Sequence, residues 1–358
     1  MGDHPAAAPL ALVTGGAGYV GSALLPRLLE SGWRVRVLDC LLWGREPIAR
    51  WLSDPRVELV EGDFRDEATV VRCLRGADAV VHLGGVVGDP ACDLDERRTL
   101  EINVTATRLL AEAARRTGVS RFVFASTGAV YGACDRRMDE DAPLNPVSLY
   151  ARSKIAGERI LLEIAGEDFS PTILRFGTIF GLSGRARFDL VVNLLTAKAL
   201  VDGRITVYGG NQWRSFVHVD DAARAVLAAL QAPRELAHGQ IYNTGSDTET
   251  YTILHIGELI ARMVPQARLE VTPAQDASDY RIDCAKIAGQ LGYHAVWTVA
   301  RGVEQVRAAL ESGQVRDYTD ERYSNVKYMA GSGRDRLPPL GEQWEEGLQE
   351  RLERALGG

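Results

Sequence analysis

Two side chains four residues apart carry the first chemical suggestion. Tyr150-Ala151-Arg152-Ser153-Lys154 sets a phenol and an ammonium on one face of any helix that spans them. A phenol is almost fully protonated near neutral pH and is a poor base alone. A neighbouring ammonium favours its anion, and the positive charge of a nicotinamide would add to that. The pair suits removal of a proton from an alcohol whose carbon gives up hydride to a cofactor, with Lys154 also able to bond the nicotinamide ribose. An ordinary exposed helix face shows the same spacing, so the pair needs companions. Upstream, Phe122-Val123-Phe124-Ala125-Ser126-Thr127 is an apolar run ending in two hydroxyls. Strand-end hydroxyls often only satisfy backbone groups. Here they also fall where a substrate hydroxyl would be held, Thr127 in particular.

A dinucleotide site is suggested near the start of the chain. An apolar run from Leu10 leads directly into Thr14-Gly15-Gly16-Ala17-Gly18-Tyr19-Val20-Gly21. Gly15 permits the tight turn, Gly18 lets backbone approach a pyrophosphate, and Gly21 lets helix pack on strand. The phosphates would then meet the free N–H groups of a helix N-terminus around Tyr19 and Val20. About 20 residues on, the next strand ends at Asp39, where a carboxylate would hold ribose hydroxyls and repel a 2′-phosphate. NAD is therefore favoured over NADP, although Arg45 nearby would suit the opposite choice.

These groups must be positioned by the alternation of short apolar runs and amphipathic stretches up to about Phe180. Strands are predicted at 11–14, 35–39, 57–60, 79–83, 122–126 and 172–176, and helices at 21–30, 96–116 and 150–164. Pro26 predicts a kink in the first helix. The pattern reads as α/β, a doubly wound parallel Rossmann sheet with a smaller C-terminal mixed α/β substrate domain. Residues 1–180 would form the nucleotide-binding domain, with 214–247, including a helix from Asp220, returning to it. Residues 181–213 and 248–330 would form the substrate domain. Gly331-Ser332-Gly333 reads as a hinge before a terminal amphipathic helix through Trp344, Leu348, Leu352 and Leu356.

The charge of −7 argues against nucleic-acid binding, and no apolar run is long enough to span a bilayer. Five scattered cysteines without a CxxC pair suggest reduced thiols in a cytoplasm, with no metal site.

Taken together, these motifs resemble the extended short-chain dehydrogenases of the epimerase/dehydratase type, over residues 10–328. The resemblance rests on TGGAGYVG at 14–21, Asp39, Gly62-Asp63-Phe64, His82-Leu83-Gly84-Gly85, Asn103, Ser126-Thr127, Val130-Tyr131-Gly132, the YxxxK pair, Leu174-Arg175-Phe176 and Arg214–Asp221. It implies that Asp63 and Phe64 bracket the adenine, and that Leu83 and Gly84, with Gly85, line the central ribose and pyrophosphate. Asn103 would support the central helix and a water near Lys154, Ser126 would border the cofactor, and Thr127 would bind the sugar hydroxyl beside Tyr150. Arg214 would grip a phosphate of a nucleotide-diphosphate sugar. His82, His218 and Asp220 are expected to pack or cap rather than react. A homodimer through the helices at 96–116 and 150–164 is also implied.

Departures from the family pattern narrow the chemistry. Members that eliminate water carry an Asp-Glu pair after the active-site Thr, where this chain has Gly128 and Ala129. Chemistry at one carbinol remains: epimerisation, expected at C4, or net oxidation or reduction by a dehydrogenase or ketoreductase. A non-catalytic NAD-sensing protein is disfavoured by the intact Tyr-Lys pair. Thr178 stands where the family often has Asn, and Arg281 is expected to replace a late substrate arginine. Gly88, Asp89, Arg185, Arg187 and Asn193 are further substrate-side candidates.

Overall fold

The structure is a computed structural model that describes residues 8–134, 136–274 and 279–336. The expected terminal helix lies outside the described residues.

Seven strands form the main sheet: β1 (Leu10–Thr14), β2 (Arg34–Asp39), β3 (Val57–Glu61), β4 (Ala79–His82), β5 (Arg121–Thr127), β6 (Ser170–Phe176) and β7 (Gln240–Thr244). Their order is β7-β6-β5-β4-β1-β2-β3, and every neighbouring pair is parallel. The apolar runs follow from burial on both faces. Ala11, Val13, Val35, Val37 and Val81 enter one core, while Leu12, Leu38, Val80, Phe122 and Phe124 enter the other. The first core is closed by α1 (Tyr19–Glu30) and the returning helix Val219–Gln231; the second by α2 (Glu67–Leu74), α3 (Ala106–Arg116) and α4 (Leu149–Ile164).

The sequence reading misses β7. Asn243 and Thr244 are fully buried polar residues there, so no apolar run announces the strand. Asn243 is satisfied by the Tyr131 hydroxyl and by the carbonyls of Met138 and Asp283, partners supplied by distant segments. The single helix expected over 96–116 is also corrected. It divides into a turn of helix at Glu96–Leu100, a wider π turn at Glu101–Thr105, and α3. Such π turns recur at functional sites. Here the Asn103 side chain leaves the helix surface to hold both N–H and C=O of Val86, at 2.8 and 2.9 Å. Helix α1 starts earlier than expected and is assigned continuously through Pro26.

The remaining elements build the other side of the cavity. Trp213–His218 pairs with Thr178–Phe180 and Thr250–Thr252, and helices Val191–Val201, Ile253–Met263 and Val299–Glu311 pack around Phe180, Phe216 and Ile256. Helix Asn325–Ala330 then meets the loop after β4, where the Asn325 side chain donates to the Val87 carbonyl. Among the described residues, no helix is long and apolar enough to cross a membrane.

Candidate active site

Sheet order reverses direction between β1 and β4, and a cavity of about 390 Å³ opens at the carboxyl ends of these strands. Its floor is made by the glycines. Gly15 has φ +70°, and a Cβ there would stand 2.7 Å from the Gly84 backbone nitrogen. A Cβ at Gly84 would strike the Phe64 ring at 2.6 Å, so the β1 and β4 turns and Phe64 meet without room for side chains. Gly18 precedes the first turn of α1, which has no acidic residue and no side-chain cap. A cradle of this kind fits a dinucleotide pyrophosphate.

Asp39 lies at the end of the cavity beside β2. Its carboxylate accepts from Ala17 N–H at 2.9 Å and Leu41 N–H at 2.8 Å, and burial, opposed by these bonds, raises its pKa. Asp63 lines the same end, tied to Arg65 through three contacts of 2.6 to 2.9 Å. Tyr19, Val20, Leu83, Gly85 and Ser126 complete this wall. Asn103 does not line the cavity; it acts from behind, on Val86 and on the Ser153 hydroxyl. Ser126 donates to the buried carboxylate of Glu158, which in turn forks Arg175.

Tyr150 and Lys154 project from α4 into the middle of the cavity, helped by Ser148, whose hydroxyl caps the helix. The Lys154 ammonium donates to the Ala125 carbonyl at 2.9 Å and lies 5.9 Å from the Tyr150 ring. Burial lowers the Lys154 pKa to about 8, against the raising effects of Cys92 and Glu158. Burial raises the Tyr150 phenol well above its usual value, while a hydrogen bond with Thr127 and the charge of Arg187 pull it back. His82 is neutral and structural: it bridges Thr14 and Thr107 at 2.7 and 2.9 Å, and burial drives its pKa down to about 3. His218 caps its helix by accepting from Asp220 N–H and stacks on Trp297.

Thr127, Gly88, Asp89, Thr178, Arg185, Arg187 and Arg214 all line the cavity. Two expected substrate residues do not. Arg281 lies over the Trp213 ring, and its neighbour Tyr280 faces the cavity instead, 3.0 Å from the Thr178 hydroxyl. Asn193 is wholly buried behind the wall, bonding Gly181 and Arg187 main-chain groups and so splinting the loop that carries the arginines. Residues that sequence reasoning missed are Trp43, Tyr280, Asn325 and Met329. An aromatic just past Asp39 was the only available signal for Trp43; the others arrive from remote segments.

The comparisons agree with this geometry. Residues 11–245 match the profile of the NAD dependent epimerase/dehydratase family. The UDP-glucose 4-epimerase of Bacillus subtilis is 30% identical over 325 residues, 83% of this chain and 94% of that protein. The dTDP-glucose 4,6-dehydratase of Streptomyces griseus is 32% identical over 306 residues, covering 82% of this chain and 91% of its own. Among solved structures, UDP-glucuronic acid 4-epimerase from Bacillus cereus, in complex with UDP-glucuronic acid and NAD, superposes with a TM-score of 0.77 at 25% identity, covering 85% of this chain and 99% of that one.

Proposed function

The chain belongs to the NAD dependent epimerase/dehydratase family, and from that premise we propose that it epimerises a nucleotide-diphosphate sugar at C4. The observation that carries this reading is the pairing of Gly128 with Tyr280. A Cβ at Gly128 would stand 2.9 Å from the Tyr280 ring, so the position that holds an acid in dehydratases has no room for one. Ala129, which lines the cavity, offers no proton either. Elimination of water needs a second acid–base pair, and the two positions after Thr127 supply none.

NAD, the family's cofactor, would when bound accept the carbinol hydride and give the same hydride back to the ketone, with Gly15, Gly18, Tyr19, Val20, Asp39, Asp63, Phe64, Leu83, Gly84, Gly85 and Ser126 available to hold it. Thr127 orients the sugar hydroxyl toward Tyr150, which takes the proton; burial by itself holds the phenol protonated, so the base form needs positive charge beside it. The Lys154 ammonium, 5.9 Å from the Tyr150 ring, and the positive nicotinamide supply that charge. The ketone sugar then turns its other face, and Tyr150 returns the proton. Arg187 and Arg214 hold the diphosphate, while Gly88, Asp89, Thr178 and Tyr280 border the sugar.

A panel of UDP- and dTDP-sugars mixed with the purified protein tests the proposal. Isomer formation without a change in NADH absorbance supports it, whereas stoichiometric NADH would mean a dehydrogenase and overturn it. The same reading has the chain working in the cytoplasm as a homodimer paired through α3 and α4, a surface that exposes Leu162. Light scattering that gives one chain's mass removes the dimer.

A further inference from the structure

We propose that Arg185 is a cofactor residue, closing on the NAD pyrophosphate opposite the glycine turn, and that with Trp43 and the segment 322–329 it keeps the dinucleotide from exchanging. This rests on the NAD site and deepens the epimerase reading, since an epimerase reuses one cofactor.

Two arginines on one loop face the cavity, and their surroundings differ. Arg187 is forked to Asp189 by two bonds of 2.9 Å, so its charge is matched. Arg185 is 6% exposed, and no carboxylate among the described residues lies within ion-pair distance of it. Its Nε is buried without a hydrogen-bond partner, and one Nη reaches only the Arg322 carbonyl at 3.4 Å. Burying an unmatched guanidinium is costly, because arginine stays charged. Burial, and after it the charge of Arg187, pull its pKa down to about 9, against a smaller opposing effect of the Asp189 carboxylate beyond ion-pair distance. The arrangement is relieved when an anion enters the cavity beside it.

Contacts along the loop say which anion. The Arg185 guanidinium lies 3.6 Å from the centre of the Trp43 ring, in the loop that follows Asp39. Its backbone N–H donates to the Ser22 hydroxyl on α1 at 3.3 Å, and its charge acts on Tyr19 in that helix's first turn. Arg187 acts on Tyr19 as well, and more strongly, but it also acts on Tyr150, which Arg185 does not. Arg185 thus stands between the ribose-holding loop and the N-terminus of α1, where a pyrophosphate lies. Arg187 stands nearer the reacting sugar.

The same place is roofed from the far end of the chain. Tyr323 C=O accepts from Phe188 N–H at 2.8 Å, and Asn325 N–H donates to Asp189 at 2.9 Å. The Asn325 side chain donates to the Val87 carbonyl at 2.9 Å, and Tyr328 packs on Trp43 with ring centres 4.7 Å apart. This segment therefore joins the arginine loop to both cofactor loops, and the dinucleotide leaves only when those contacts part.

The experiment measures NAD, without sugar, in wild type, Arg185→Gln and Arg185→Lys. Nucleotide per chain is quantified after gel filtration and acid release, and exchange is timed against isotopically labelled NAD. Wild type is expected to keep its NAD through filtration. Arg185→Gln should lose it and bind added NAD roughly tenfold or more weakly, the loss expected of one charge-assisted hydrogen bond, with Arg185→Lys between. If Arg185→Gln fails to fold, as its circular dichroism would show, the exchange rate of Arg185→Lys decides: a rate equal to wild type overturns the proposal. Equal NAD retention in Arg185→Gln with a raised sugar KM also overturns it, assigning Arg185 to substrate. Rapid exchange in wild type overturns the retention. Failure of the epimerase reading is distinguishable, because it shows in sugar products while NAD retention stays intact.

Discussion

The two long walls of the cavity recognise ligands by different means. The wall from β1, β2 and β4 works through backbone and space: Gly15 and Gly84 leave no volume for side chains, and Asp39 is its chief charged group. The wall from residues 178–190, 214, 280 and 325–329 works through long side chains, three of them arginines. A backbone wall changes little when one side chain is altered but fails when a Cβ is added. A side-chain wall behaves in the opposite way. Tyr150 and Lys154 stand between them, so chemistry depends on both.

The largest expected effect is at that junction. Tyr150→Phe should lower kcat by about 10²–10⁴-fold while leaving bound NAD unchanged, as turnover and nucleotide content together would show. If NAD is lost as well, the separation of walls is wrong. The same junction has a pH signature. The Lys154 ammonium is lost as pH rises through about 8, so kcat/KM should fall on the alkaline side of that value. A flat profile well above it contradicts the role given to the charge.

Next comes the support beneath the junction. Glu158 and Arg175 are both 3% exposed and forked together under Ser126. Glu158→Gln leaves a buried guanidinium without its counter-charge and should cost about 3–5 kcal/mol of stability, read by urea denaturation. Gly15→Ala sharpens the contrast directly. Its φ of +70° and the 2.7 Å approach to Gly84 should cost about 1–3 kcal/mol of strain and weaken NAD binding measured by calorimetry. An unchanged affinity would mean that the backbone wall yields. The smallest effect belongs to Arg27 and Asp220, a partly exposed pair that ties α1 to the returning helix at 2.8 Å. Arg27→Ala should change stability by no more than about 1 kcal/mol and leave both walls intact.

Legibility in the sequence follows the same division. The glycine turn, Asp39, Thr127 and the Tyr-Lys pair were readable because each sits at a strand end or on one helix face, where spacing alone sets direction. The strand at Gln240–Thr244 was not, since its buried Asn243 is stabilised by partners from remote segments. The π turn at Asn103 was hidden because an amphipathic repeat tolerates one extra residue in a turn. Asn193 and Arg281 had suitable chemistry, yet the structure turns the first toward the main chain and the second onto Trp213. Tyr280 carried no sequence signal at all.

What the sequence by itself determined is six of the seven sheet strands, the glycine turn and the placing of Tyr150 and Lys154 on one helix face, because local periodicity and steric permission specify them within a few residues. What only the tertiary structure decided is the opposite wall: Tyr280 against Gly128, Trp43 against Arg185, and Asn325 over Val87. Those contacts join segments far apart in the chain. Their existence depends on how loops cross after folding, a matter that no short-range pattern encodes.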